Sequence, residues 1–197
     1  MITSFDPIET SDARVLILGT LPSAASLEAG YNYGHPRNAF WYIIQTLTQH
    51  SQDIIKAALA TGDVSELVAI DPAKLLDFQT RRKLLIDNKI ALWDSLRSAA
   101  RDGSSLDSAI DAATEIPNDI PGFLRSHPGV RAIFFNGTKS ESVFKRLIAP
   151  MIAADCELYA DLKYRQMLYR RLPSTSPANA GTPLAKKLEA WNAIMLV

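Results

Sequence analysis

Four short apolar runs constrain this chain more than any other feature. They occupy residues 15–18, 90–93, 131–135 and 166–170, and helix-patterned sequence lies between them. Short apolar runs bounded by turn residues read as buried strands. Strands that alternate with helices favour a parallel sheet covered by helices on both faces. The expectation is therefore an α/β fold. A chain of 197 residues is long enough for one sizeable core. It has no repeat, low-complexity tract or long linker, so residues 1–197 are read as a single domain.

Helical spacing is clearest over residues 38–49, where Phe40, Ile43, Ile44 and Leu47 share a face and Asn38 suits the cap. Residues 71–88 repeat the pattern, with Pro72 in the first turn. Residues 138–148 and 183–195 do the same. Residues 98–130 are rich in Asp, Ser, Gly and Pro and read as irregular, with a short helix near residues 121–126.

Each strand runs into a suggestive loop. These are Gly19-Thr-Leu-Pro-Ser23, Trp93-Asp94-Ser95, Asn136-Gly-Thr138 and Leu172-Pro-Ser-Thr-Ser-Pro-Ala-Asn179. In a parallel sheet all four loops lie along one edge, where ligands bind. Ser23, Asp94, Asn136 and Ser174 should share a rim.

Much chemistry is excluded. Cys156 is the single cysteine, so no internal disulfide and no four-cysteine metal or iron–sulfur site can form. His35, His50 and His127 lack metal-ligand spacing, and no metal or cofactor is expected. The nucleophile elbow, dinucleotide fingerprint and Walker pattern are absent. No apolar run reaches the ~20 residues of a membrane span, and the first residues lack signal-peptide character. A cytoplasmic protein without a membrane partner is expected, associated with the bacterial nucleoid when it acts on DNA. Lys plus Arg and Asp plus Glu are both 21, so the overall field does not attract a polyanion. Any nucleic-acid contact must be local. Residues 81–83, 145–146, 170–171 and 186–187 are basic clusters, although each also reads as a solvated face.

What remains is a rim of amides, hydroxyls and aromatics. A side-chain amide both donates and accepts, and so matches a nucleobase edge. Tyr31, Tyr33, Phe40 and Trp41 offer stacking faces. Each also has a plain structural reading. Phe40 and Trp41 suit a core, Asn38 a helix cap, Asn136-Gly137 a turn, and residues 174–177 a loop leading into a helix.

Taken in order, several segments resemble the uracil-DNA glycosylase superfamily, most closely its hypoxanthine-DNA (deoxyinosine) glycosylase branch. They are Gly19-Thr-Leu-Pro-Ser-Ala-Ala-Ser-Leu27, Tyr31-Asn-Tyr-Gly-His-Pro-Arg-Asn-Ala-Phe-Trp41, Ala91-Leu-Trp-Asp94, Phe135-Asn-Gly-Thr138 and Leu172-Pro-Ser-Thr-Ser-Pro-Ala-Asn179. The resemblance implies a three-layer α/β/α fold around a four-stranded parallel sheet. It also implies hydrolysis of the N-glycosidic bond of a deaminated base, hypoxanthine above all, to leave an abasic site. Uracil-removing members usually carry Asp or Asn two residues after the first glycine, where this chain has Leu21. They usually carry His or Asn at the head of the last loop, where it has Leu172. Efficient uracil excision is therefore not expected.

By position the resemblance makes Asn38 the catalytic residue. Gly19, Thr20, Pro22, Ser23, Tyr33, His35, Phe40 and Asn136 are expected around the base. Pro173, Ser174, Thr175, Ser176 and Arg171 are expected on the DNA backbone. The partner is double- or single-stranded DNA carrying deaminated bases. No lysine stands out as a Schiff-base candidate, so the enzyme is expected to leave the strand uncut. No heptad or exposed apolar stripe demands a partner, so a monomer is expected. The alternatives are a glycosylase for uracil or other deaminated bases, a non-catalytic nucleic-acid-binding protein of the same fold, and a small-molecule hydrolase.

Overall fold

A computed structural model of the chain describes residues 1–68, 70–103, 107–160 and 166–197. Seven strands occur among these: β1 (Ile2–Thr3), β2 (Val15–Gly19), β3 (Ile90–Asp94), β4 (Leu96–Ala99), β5 (Ile116–Pro117), β6 (Ala132–Asn136) and β7 (Leu168–Leu172). The order β3-β2-β6-β7 forms a four-stranded sheet, and all its pairings are parallel.

The sheet is parallel because both its faces are apolar. Every residue of β2 and β6 is buried. Val15, Ile17, Ala132 and Phe134 point into one core with Phe40, Ile44, Leu85 and Trp191. Leu16, Leu18, Ile133 and Phe135 point into the other with Leu124, Phe144 and Ile148. The first core is covered by α2 (Phe40–Gln49), α3 (Gln52–Thr61), α4 (Phe78–Asp87) and the C-terminal helix Leu184–Trp191; the second by α5 (Ile120–Ser126) and the α6 (Thr138–Val143) segment. Three layers result. Truncating Phe134 to Ala would cost about 3–5 kcal/mol, because its ring is fully enclosed.

The chain departs from its sequence pattern in five places. The fourth strand is β7, displaced two residues from 166–170. It is an edge strand with only Leu172 buried, so pairing of Asn136 with Leu172 fixes its position rather than hydrophobicity. Residues 71–88 divide into a short turn, Pro72–Lys74, and α4, because the Asp77 carboxylate accepts the Thr80 N–H and starts a new helix. Helix α6 passes into a π-helical turn, Phe144–Ile148, and then α7 (Ala149–Ala154). Pro150 sits in the first turn of α7, where it has no N–H to offer the preceding carbonyls. Helix α2 starts at Phe40, not Asn38, yet Asn38 Oδ1 still accepts the Phe40 N–H at 3.0 Å. Residues 98–130 contain α5 as expected, but also β5 and the end of β4. Residues 104–106 of that stretch lie outside the described residues. With β1 these strands form a second, antiparallel sheet in the order β1-β4-β5.

No helix among the described residues is long and apolar enough to cross a membrane.

Candidate active site

The carboxyl ends of the parallel strands surround a cavity of about 640 Å³, within the ~300–1,000 Å³ of typical small-molecule sites. Register brings these ends level. Gly19 pairs with Asp94, and Asn136 with Leu172. Ser23, Asp94, Asn136 and Ser174 all line the cavity, as the order of strands and loops required.

One wall is the loop after β2. Ser23 caps α1 (Ala24–Ala29) by accepting the Ser26 N–H. The Pro22 carbonyl accepts from Arg101 Nη1 at 2.7 Å. The Thr20 hydroxyl donates to Asp107 Oδ2 at 3.0 Å. Thr20, Pro22 and Ser23 are thereby held in place, with Leu21 as an apolar lining residue between them.

The floor is Asp94, which is 4 % exposed. Its Oδ2 accepts from the Ser4 hydroxyl at 3.1 Å and from Asn32 Nδ2 at 3.5 Å. Burial pushes the carboxyl up to about 7, against the pull of Ser4 and Arg101. Beside it stands Tyr33, whose backbone holds a left-handed φ of 59°. Non-glycine residues adopt this conformation rarely, and it often marks a functional constraint. Burial and the Asp94 charge raise the Tyr33 phenol, so it stays protonated. Its hydroxyl lies beside the Asn136 side chain but makes no well-formed hydrogen bond with a described residue.

Tyr33 stacks on Phe40 with centroids 4.0 Å apart. Phe40 is fully buried and absent from the lining. It therefore supports Tyr33 from behind instead of meeting a base. His35 also lies outside the lining, and its Nδ1 accepts the Arg37 N–H at 3.1 Å. Asn38 does line the cavity, half-buried. Its bond to the Phe40 N–H orients the amide and leaves Nδ2 and one lone pair of Oδ1 unused.

The third and fourth loops are clamped together. Asn136 Nδ2 donates to Thr175 Oγ1 at 2.8 Å, and Asn136 Oδ1 accepts the Thr175 N–H at 2.9 Å. The Thr175 carbonyl accepts the Ala39 N–H at 3.0 Å. Thr175 is buried, and its N–H, hydroxyl oxygen and carbonyl are all engaged, so it serves as a strut, whereas the sequence placed it on the DNA backbone. Asn136 spends both ends of its amide on that strut. Ser174 and Ser176 differ in being only partly buried. Each hydroxyl oxygen accepts a loop N–H, from Ser176 and Ala178 respectively, and keeps its own proton to donate. Pro173 and Arg171 complete this rim. The Arg171 side chain is half-exposed and pairs with Glu141 at 3.2 Å, a contact weak enough to exchange for a phosphate.

Asn32, Arg101 and Asp107 escaped sequence reasoning. Asn32 sits within the Tyr31–Trp41 segment but has no spacing that marks it as a partner of Asp94, and Arg101 and Asp107 have no motif around them. Only the tertiary fold brings Asn32 and Asp107 to the wall and Arg101 behind it, onto the Pro22 carbonyl.

No protein-family model matches the chain. A protein of Methanosarcina acetivorans named hypoxanthine DNA glycosylase is 30% identical over 137 residues, covering 69% of this chain and 71% of that protein. A protein of the same name from Methanosarcina barkeri is 27% identical over 136 residues, with the same coverage of 69% and 71%. The solution NMR structure of a protein from M. acetivorans, provisionally named a uracil DNA glycosylase, superposes with a TM-score of 0.68 at 27% identity, covering 98% of this chain and 95% of that one.

Proposed function

Because the chain belongs to the hypoxanthine-DNA glycosylase branch of the uracil-DNA glycosylase superfamily, we propose that its cavity takes hypoxanthine flipped out of DNA and cuts the bond to deoxyribose. The observation that carries this reading is the placement of Asn38. Its oriented amide faces a cavity at the strand ends, and the hydroxyl-rich loop Pro173–Ser176 forms the rim of that cavity.

Flipping costs a few kcal/mol, least for a poorly paired base. The Pro173–Ser176 loop and Arg171 hold the phosphates on either side, the Ser174 and Ser176 hydroxyls donating to phosphate oxygens. In the cavity the C1′–N9 bond breaks, and its electron pair leaves with the base, which takes up a proton. Water adds its oxygen to C1′ and gives up a proton. An amide is too weak a base to take that proton. Asn38 contributes by positioning the water and by setting its carbonyl dipole against the positive charge that grows on the sugar. The reaction as proposed is hydrolysis that stops at the abasic site. Leu21 and Leu172 also line the cavity. Apolar side chains at those two positions favour hypoxanthine over uracil.

Single-turnover base release from a duplex with one hypoxanthine tests the reading. Replacing Asn38 by Ala should slow release by ~10²–10³-fold, the loss expected for one preorganised contact, and leave DNA affinity in place. Release at the parent rate would refute the role given to Asn38. A parent protein that releases no hypoxanthine would refute the function.

A further inference from the structure

The cavity floor contains two polar atoms that the hydrolysis does not use, and both face the same glycine. A Cβ built on Gly19 would lie 2.4 Å from Asp94 Oδ1 and 2.8 Å from the Tyr33 hydroxyl. Any side chain at position 19 would therefore collide with both atoms. With hydrogen there, both atoms rest against Gly19, and all three residues line the cavity. Asp94 Oδ2 is committed to Ser4 and Asn32. The side-chain bonds that described residues make to Asp94 go to Oδ2 and not to Oδ1, and the enclosed Tyr33 hydroxyl has no well-formed hydrogen bond with a described residue. An enclosed hydroxyl without a partner costs roughly 1–3 kcal/mol. Side chains kept in that state beside an open cavity mark a ligand contact.

We infer that Asp94 Oδ1 and the Tyr33 hydroxyl form the base-reading end of the cavity, where they receive the N1–H and the 6-oxygen of a 6-oxopurine lactam. The inference rests on the glycosylase reading above and names the chemical edge that the cavity selects. One atom is an acceptor and the other a donor, the complement of the –CO–NH– edge of hypoxanthine. Adenine presents N1 as an acceptor and a 6-amino group as a donor, and so mismatches Asp94. Guanine has the lactam edge, but its 2-amino group needs a second acceptor beside the first. Oδ2 is already taken by Ser4 and Asn32. A site that leaves buried polar groups unpaired rejects the wrong analogue by up to ~10⁴–10⁵.

The charged and titratable groups around Asp94 are Tyr33 from the loop after α1, Asp107, and Arg101 beyond β4. Arg101 is shared with Asp107 and the Pro22 carbonyl. It does not cancel the Asp94 charge at Oδ1.

The test is single-turnover base release from duplexes that carry hypoxanthine or unsubstituted purine, which lacks the 6-oxygen and presents N1 as an acceptor. Asp94→Asn puts a donor where the acceptor stood and can still accept from Ser4. It should lower hypoxanthine release about 100-fold or more and lower purine release less, so that the purine-to-hypoxanthine ratio rises. Tyr33→Phe should slow hypoxanthine release more than purine release, so that the same ratio rises. Equal losses on both bases would show general damage to the site and overturn the inference, as would hypoxanthine release by both variants at the parent rate. Should Asp94→Asn fail to fold, Tyr33→Phe decides by the same comparison. If the parent protein releases hypoxanthine and these ratios do not move, this inference fails while the glycosylase reading stands.

Discussion

Asn136 grips Thr175 at both ends of one amide, donating to its hydroxyl at 2.8 Å and accepting its N–H at 2.9 Å across 39 residues of sequence. Thr175 in turn takes the N–H of Ala39, the neighbour of Asn38. The end of β6, the loop after β7 and the start of α2 are one hydrogen-bonded unit. A residue chosen from sequence as a base reader braces the loop that carries Asn38.

Removing that brace should therefore harm stability and chemistry together. Asn136→Ala leaves the Thr175 N–H and hydroxyl unpaired in a buried place, at a cost of roughly 1–3 kcal/mol for each unsatisfied group. Denaturant titration should show the loss. Base release should slow as well, because the backbone beside Asn38 loses its support. A variant that is as stable as the parent would contradict the brace.

The rim should act on affinity and not on the chemical step. Arg171→Ala removes one phosphate cation and should reduce the slope of log affinity against log salt by about 1. Ser174→Ala should weaken binding through the lost hydroxyl donor, with single-turnover release at saturating enzyme unchanged. Binding isotherms over a salt series measure both effects. A salt slope that Arg171→Ala does not alter would remove that residue from the DNA path.

Asp94 should set opposite pH trends for stability and activity. Its carboxyl is raised by burial to about 7, above the unfolded value of about 3.9. The folded state therefore favours the protonated form. The stability this gives is complete below about pH 3.9, and it is lost as pH climbs through about 7. The shift corresponds to a few kcal/mol as an order of magnitude. Asp94→Asn should consequently melt higher than the parent at pH 8, and the gap should close toward pH 4. Because Oδ2 accepts from Ser4 and Asn32, a proton on the carboxyl falls to Oδ1 and turns that acceptor into a donor, so hypoxanthine release should rise with pH through about 7. Melting curves and pH–rate profiles check the pair of trends. An Asn variant less stable than the parent at pH 8 would contradict the burial penalty.

Sequence patterning revealed the parts of this molecule that hydrophobicity controls. Leu16 and Phe134 belong to strands buried on both faces, and short apolar runs show such strands plainly. The convergence of Ser23, Asp94, Asn136 and Ser174 then followed from parallel topology alone. Patterning failed where another force decides. Leu168 to Arg171 are exposed on an edge strand, so pairing with β6 set their register and apolar spacing did not. Strands as short as Ile2–Thr3 and Ile116–Pro117 have no period to detect. The parts played by Arg101, Asp107 and Asn32 depend on contacts 62 to 87 residues distant, such as Asn32 to Asp94 and Thr20 to Asp107. Phe40 has the right chemistry for stacking on a base, but Tyr33 occupies the position between it and the cavity.

The hydrogen bond from Ser4 to Asp94 spans 90 residues and ties the opening segment of the chain to the chamber floor. Ile2 and Thr3 are fastened to Ala99 and Ser98 in the small sheet, so Ser4 arrives at the carboxylate by way of a fixed tether. Residues 2–4 thus help to hold the floor carboxylate in place, and a change in this segment would be felt at Asp94, far from any sequence motif.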